Sequence, residues 1–203
     1  MYTPKVEDND VKRLEDLINS EFETIELTVE PLVNAVANDC FNVIQKEIEE
    51  SGGKLIVGWQ IWKSNFLIEG ESHAVWESPE GVLYDFTPKA NNAKTILFIE
   101  DPRIIYEGKN IDSIRLNVTN NKIVDCLIEV SKTYFIFTNR GQLAFFQGNL
   151  LDVLNIEERH ELLGLWFLKS ILIQMLHSGA THNSSCFCGS GNTFYNCHYR
   201  VLI

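Results

Sequence analysis

Four side chains that can bind a transition metal lie close together near the end of the chain. The stretch CFCGSGNTFYNCH places Cys186, Cys188, Cys197 and His198 within thirteen residues. Zinc prefers a tetrahedron of thiolate sulfur and imidazole nitrogen, and this set supplies four such ligands. The alternative is a chance cluster of buried or free cysteines, but the segment offers little apolar mass in which to bury them. We therefore expect bound zinc to fold this tail.

A second set of reactive side chains lies in the stretch HAVWESPEGVLYDFTP, residues 73–88. The sequence Pro-Glu-Gly at its centre predicts a three-residue hairpin loop, because proline suits the first corner and glycine accepts a positive φ at the exit. That loop length pairs Val75 with Asp85, so His73 and Asp85 become diagonal neighbours on one face. A loop one residue shorter or longer would put them on opposite faces.

An imidazole beside a carboxylate can serve either a metal or a nucleophile. For a metal site, Glu71 and Glu77 have the same face parity as His73, although this spacing matches no familiar site. For a nucleophile, Cys40 is the only cysteine that precedes the hairpin. A thiol gains reactivity from a helix N-terminus and a neighbouring imidazolium, and a third group such as Asp85 would fix the imidazole tautomer.

The position of Cys40 within its helix allows two interpretations. Apolar residues recur at a spacing of four from Leu32 to Ile48 and include Cys40, which predicts one helix over residues 31–50 with a buried, inert thiol. If instead Asn38 or Asp39 caps a helix that starts there, Cys40 lies in the first turn, where the helix dipole favours a thiolate. The sequence leaves both interpretations open.

The remaining pattern predicts the elements that must position these groups. Helices are expected over residues 8–20, 121–130 and 156–177, and strands in KLIVGWQIW, TILFIE, TYFIFTN and QLAFF. The composition of SGATHNSS predicts a flexible linker that includes His182. We expect Trp59, Trp62, Trp76 and Cys126 to be core residues, and Gln60, Asn34 and Asn38 are weak candidates for an oxyanion donor.

Two resemblances to known families follow from these motifs. Residues 186–198 closely resemble the SEC-C motif, a zinc-binding appendage with the pattern Cys-x-Cys-Gly-Ser-Gly, although its usual lysine-rich spacer is here NTFYN. Residues 30–90, with HAVW and DFTP, resemble the transglutaminase-like branch of the papain-like fold. That resemblance implies an α+β fold with helices packed on an antiparallel sheet, and catalysis by Cys40, His73 and Asp85. The sequence ANDCFN around Cys40 departs from the family pattern, in which small residues often precede the cysteine.

Composition narrows the classes of function. The net charge of −11 argues against general binding to nucleic acid, and no apolar run is long enough to span a membrane. An odd count of five cysteines and a polar, acidic N-terminus favour a cytoplasmic protein. We expect an α+β domain over residues 1–178 and a zinc motif over 183–203.

Three functions compete for this chain. The first is a cysteine-dependent hydrolase or acyltransferase that acts on a protein or peptide substrate, with a possible protein partner at the zinc motif. The second is a non-enzymatic, zinc-binding interaction module, in which the hairpin pair is structural. The third is a metallohydrolase with its metal at His73.

Overall fold

The computed structural model describes residues 1–146 and 148–203, and the chain divides into two compact units. Unit 1 comprises Met1–Glu107 and Ser113–Leu116, and unit 2 comprises Gly108–Asp112 and Asn117–Ile203. The expected α+β class, with helices and an antiparallel sheet, is confirmed. The two units are not the two domains that the sequence predicts, which are a main domain and a zinc motif. The domain boundary expected at residues 178–183 therefore stays a prediction.

Unit 1 is built on an antiparallel sheet with the strand order β1-β5-β2-β3-β4, and β6 pairs with β3. One isolated parallel bridge between Val29 and Asp85 joins the chain after β1 to the chain after β4. The elements are α1 (Asn9–Ile18), β1 (Ile25–Thr28), α2 (Cys40–Ser51), β2 (Lys54–Lys63), β3 (Leu67–Glu77), β4 (Leu83–Tyr84), β5 (Thr95–Glu100) and β6 (Ile114–Asn117).

The loop between β3 and β4 has the length that the sequence predicts. The amide of Ser78 donates to the carbonyl of Val82 at 2.9 Å, and Gly81 takes the positive φ of 83° expected at the loop exit. Trp76 pairs with Tyr84 and Glu77 with Leu83, which is the predicted register, and β4 ends one residue before Asp85. The predicted pairing of this hairpin is therefore confirmed.

Helix α2 begins at Cys40, so the expectation of a single helix over residues 31–50 is wrong. The amide of Leu32 donates to the carbonyl of Phe86, which holds residues 30–32 alongside the chain after β4. Asn34 and Asn38 then have φ values of 71° and 64°, which interrupt any right-handed helix. The alternative start at Asp39, which occupies the N-cap position, is confirmed.

The sheet core of unit 1 contains the tryptophans that the sequence places there. Trp59, Trp62 and Trp76 are all buried. Gly58 on β2 pairs with His73 on β3, and a Cβ atom at this position would collide with the carbonyl oxygen of Ile99 and lie 2.7 Å from Cζ of Phe98. Glycine is thus required at this point of close backbone approach.

Unit 2 is helical, with α3 (Lys122–Thr138), α4 (Ile156–His177), α5 (Tyr199–Leu202) and two short 3₁₀ helices at Gly141–Phe145 and Leu150–Asp152. The strands expected in TYFIFTN and QLAFF are wrong, because the first completes α3 and the second lies in a 3₁₀ helix. Phe137 packs with Leu154 and Leu162, so tertiary contacts outweigh the strand propensity of these residues.

Helix α4 has the bounds that the sequence predicts. Asn155 and Glu158 form a capping box, in which each side chain accepts a hydrogen bond from the backbone of the other end. In the part of the chain that the structure describes, every helix is too short or too polar to cross a membrane.

Candidate functional site

His73 and Asp85 meet in the interior of unit 1. Nε2 of His73 lies 3.1 Å from Oδ1 of Asp85, and the two residues are 5% and 0% exposed. Oδ1 also accepts the amide of Thr87 at 3.0 Å. The backbone of Asp85 is held in turn, because its carbonyl accepts the amide of Glu30 at 2.8 Å. The imidazole is therefore oriented by a carboxylate that is itself fixed.

Cys40 is the first residue of α2 and contacts the same strand. Its side chain packs in a cluster with Ile44, Ala74 and Phe86, which brings the start of the helix against β3. The thiol of Cys40 lies close enough to His73 to raise the pKa of the imidazole. Cys40 is only 8% exposed, so it combines the first-turn position of one interpretation with the burial of the other.

The N-cap residue of α2 does not cap the helix with its side chain. The carboxylate of Asp39 accepts a hydrogen bond from the side-chain amide of Asn42 at 2.6 Å instead. The first backbone amides of the helix are therefore left without that partner, and their dipoles favour a negative charge at Cys40.

Lys89 is a member of this cluster that the sequence did not indicate. Its Nζ atom lies 2.6 Å from Oδ2 of Asp85 and 3.1 Å from Nε2 of His73, and its side chain is 5% exposed. The stretch PKANNAK is polar and begins with a proline, which is typical of an exposed loop. The spacing of four residues between Asp85 and Lys89 was the only available signal.

The charges of this cluster shift one another's pKa values. Burial disfavours the imidazolium, yet the hydrogen bond to Asp85 and the nearby thiol of Cys40 raise the pKa of His73 above its usual value. Burial also acts against the carboxylate, but His73 and Lys89 together hold the pKa of Asp85 below its usual value. Burial lowers the pKa of Lys89, although its pairing with Asp85 opposes this shift.

The other carboxylates considered as metal ligands at His73 have different partners. Glu71 accepts the indole N–H of Trp62 at 2.9 Å, and Glu77 forms an ion pair with Lys54 at 3.1 Å. The position next to the imidazole is taken by the ammonium group of Lys89, which repels a cation. The arrangement therefore disfavours the metallohydrolase.

Aromatic side chains border the thiol. Phe41, the residue after Cys40, stacks on Tyr106 with a ring-centroid distance of 3.5 Å and an interplanar angle of 5°. Burial, together with the negative charges at Cys40 and Asp39, raises the pKa of Tyr106. Of the weak oxyanion candidates, Gln60 is buried on β2, whereas Asn34 and Asn38 are exposed.

The metal-binding residues predicted in the tail come together in unit 2. One ligand atom from each of Cys186, Cys188, Cys197 and His198 lies within 4.8 Å of the other three, so this group could hold a metal ion. The sulfurs of Cys188 and Cys197 are 3.6 Å apart. Nδ1 of His198 lies 3.0 Å from the sulfur of Cys186 and 3.4 Å from that of Cys197.

Two of these distances, 3.6 Å and 3.4 Å, are close to those of a tetrahedral site, whereas the 3.0 Å contact of His198 with Cys186 is shorter. Bonds of about 2.3 Å to sulfur and about 2.0 Å to nitrogen place neighbouring sulfurs roughly 3.8 Å apart, and a sulfur and a nitrogen roughly 3.5 Å apart. The hydroxyl and amide of Ser190 lower the pKa of Cys188 to about 7, whereas burial raises the pKa of Cys186. The donor set therefore fits a zinc-like ion.

The tail has defined anchors, so the flexible linker expected at residues 178–185 is wrong. Asn121, the N-cap of α3, donates from its side chain to the carbonyl of Ala180 at 2.8 Å and accepts the amide of His182 at 3.0 Å. Phe194 is fully buried, which gives the tail a small core of its own. Composition did not reveal these contacts because each depends on one partner distant in sequence.

A comparison of this chain with models of known families, with curated proteins and with solved structures finds no match.

Proposed function

We propose that the protein is a cysteine-dependent hydrolase or acyltransferase of the amide or peptide class, with Cys40 as its nucleophile. One observation carries this proposal: a thiol at the first position of a helix packs beside the strand that holds the buried, hydrogen-bonded His73–Asp85 pair, and it raises the pKa of His73. A nucleophile, a base and an orienting carboxylate in contact are the recurring parts of such a site.

The chemistry of the proposed reaction follows from these positions. Asp85 holds the Nε2 proton of His73, which leaves Nδ1 to take the proton of Cys40. The thiolate then attacks the carbonyl carbon of the substrate, and a carbon–sulfur bond forms. When the carbon–nitrogen bond breaks, the imidazolium returns its proton to the leaving amine. Water or a second amine cleaves the thioester, with His73 again accepting the proton.

The structural support for a transglutaminase-like, papain-like domain is the order and placement of the three residues. Cys40 begins a helix, His73 lies on a long strand and Asp85 follows the next strand. The helix packs against the strand that carries His73. This arrangement is what the resemblance of HAVW and DFTP implies, and we propose the family on that ground.

The aromatic pair beside the thiol gives a proposal for the substrate. Phe41 and Tyr106 stack next to Cys40, and the neighbouring Ile105 is 78% exposed. An apolar side chain of a peptide substrate would pack on this surface and hold the scissile bond near the sulfur. Protein or peptide substrates with such a side chain are the first to test.

The rate at which iodoacetamide alkylates each cysteine tests the proposal before a substrate is known. We expect Cys40 to react well below pH 8.5, and the reaction to slow sharply in His73→Asn, because an activated thiol needs its imidazolium. Cys126 is a control within the same chain, since burial raises its pKa to about 12. Peptide mapping assigns each modified cysteine. A Cys40 that reacts no faster than Cys126 at every pH overturns the proposal.

A second candidate function has its own support. The burial of Cys40 at 8% exposure suits a structural thiol, and four side chains of the tail could hold a metal ion. In this case the protein is a non-enzymatic zinc-binding module that contacts a protein partner through residues 183–203. Both candidate functions include a zinc ion bound by the tail. Metal analysis of the purified protein tests this, and we expect about one zinc per chain.

A further inference from the structure

Lys89 is buried with its charge next to the proposed catalytic pair. Its Nζ atom lies 2.6 Å from one oxygen of Asp85, while His73 is 3.1 Å from the other oxygen. Lysine is rarely buried unless it is paired, and desolvation of its ammonium group is costly. His73 and the Thr87 amide both contact Oδ1 of Asp85, so the ammonium group of Lys89 is the group that faces the buried Oδ2.

We propose that Lys89 is a positioning residue for the Cys40–His73–Asp85 site, because its ammonium group neutralises Asp85 and keeps that carboxylate turned toward His73. This inference rests on the proposed function. With Cys40 as thiolate and His73 as imidazolium, the cluster holds two negative and two positive charges. Without Lys89, the same buried state would carry an unbalanced negative charge.

The two contacts of Nε2 set a condition on the imidazole. A ring nitrogen either carries a proton or offers a lone pair, so Nε2 cannot donate to Asp85 and also accept from Lys89. If Nε2 donates to Asp85, Nδ1 keeps the lone pair that accepts the thiol proton. If Nε2 accepts from Lys89, Nδ1 is protonated and cannot act as a base. Lys89 supports catalysis only when Nε2 donates to Asp85. In that arrangement its ammonium group binds Oδ2 of Asp85 and lies near the imidazole without a hydrogen bond to it.

Several charged groups face this cluster and set its pH dependence. Cys40 lies on α2, Glu71 and His73 on β3, and Asp85 and Lys89 follow β4, with Tyr106 at the thiol. Lys89 lowers the pKa of His73, and a negative charge at Cys40 raises the pKa of Lys89. Removing its charge should therefore move both the formation and the loss of the thiolate–imidazolium pair to higher pH.

The test is the pH profile of Cys40 alkylation by iodoacetamide in the full chain. We expect Lys89→Met to shift the profile to higher pH and to slow alkylation at pH 7 about tenfold or more, which corresponds to one pKa unit. Lys89→Arg should keep most of the wild-type profile because it keeps the charge. Lys54→Met, which removes a lysine that is paired with Glu77 at the surface of the same unit, should match the wild type.

The outcomes separate this inference from the proposed function. A wild-type Cys40 that is unreactive contradicts the proposed function itself. A reactive Cys40 with the same profile in wild type and Lys89→Met overturns the role of Lys89. If Lys89→Met does not fold, the ¹⁵N chemical shifts of His73 in the wild type decide. Protonated Nε2 at neutral pH supports the inference, and an Nε2 that accepts from Lys89 overturns it.

Discussion

The buried cluster of unit 1 and the tail cluster of unit 2 differ in how the fold brings their side chains together. Both bring four polar side chains within contact of one another. In unit 1 the groups are distant in sequence, and a sheet and a helix position them. In unit 2 they lie within thirteen residues, and turns with glycines at positive φ bring them together. One site needs the whole unit, whereas the other needs a short segment.

The two clusters also differ in how their negative charges are balanced. The carboxylate of Asp85 has both an imidazole and an ammonium group beside it, so the chain supplies its own counter-charge. The sulfurs of Cys186, Cys188 and Cys197 lie beside one another and His198, and three thiolates at these distances would repel. The first cluster contains its own counter-charges, and the second is a group that could hold a cation.

Removal of the metal should give the largest effect and should be confined to unit 2. Loss of one ligand in Cys197→Ser removes the cation that offsets the thiolates, so we expect metal content to fall from about one per chain to near zero. Two-dimensional NMR should then show loss of native signals from residues 183–203 while those of unit 1 persist. Cys126→Ser is the control for a cysteine away from the metal. A Cys197→Ser protein that keeps its metal and its tail signals contradicts the proposed site.

Replacement of Asp85 by asparagine should give the largest effect on unit 1. The ammonium group of Lys89 would stay buried without its partner, which typically costs about 3–5 kcal/mol of unfolding free energy. Urea denaturation measures this cost. The double variant Asp85→Asn, Lys89→Met should recover part of it, since the uncompensated charge is gone. Equal stability of the two variants would mean that the ion pair contributes little.

Cys40→Ala should have a small effect on stability and a large one on chemistry. The sulfur packs in the cluster that contains Ile44 and Ala74, so its loss should cost about 1 kcal/mol through lost packing. Turnover of any amide substrate should disappear because the nucleophile is gone. Thermal melts and an activity assay measure the two effects. Destabilisation of several kcal/mol, with no activity in the wild type, would favour the structural interpretation of this thiol.

Protonation of His73 should give the smallest effect, a change of stability with pH. Since the folded state raises the pKa of His73, its contribution to stability is complete below about 6.5, the value for an unfolded histidine. The contribution is lost as the pH rises through the folded pKa. We expect the difference in unfolding free energy between wild type and His73→Asn to decline over this range. A difference that grows with pH would show that burial outweighs the hydrogen bonds.

Much of unit 1 was predictable because its signals are local. The Pro-Glu-Gly loop determined which face His73 and Asp85 share, and Asn38 and Asp39 marked one of two possible starts of α2. Lys89 was missed because the burial of a lysine depends on its neighbours in space and not on the sequence around it. The placement of Cys40 beside the strand of His73 likewise depends on how a helix packs on a strand, which no spacing reveals.

The failures in unit 2 have a related cause. Aromatic and β-branched residues in TYFIFTN favour a strand by propensity, yet they complete α3 because Phe137 packs against Leu154 and Leu162. The polar composition of residues 178–185 predicts flexibility, but the side chain of Asn121 binds this segment through two hydrogen bonds. In both places a contact between distant residues overrides the local preference.

The close backbone approach at Gly58 has a consequence for how this chain tolerates sequence change. Any side chain there would displace Phe98 and the strand that carries Ile99, and the opposite residue on the paired strand is His73. In a saturation library selected for function, position 58 should therefore admit glycine alone, although it contributes no reactive atom. A glycine that is always kept at position 58 would then indicate tight packing next to His73. Positions of this kind lie close to an active site although their residues take no part in the reaction.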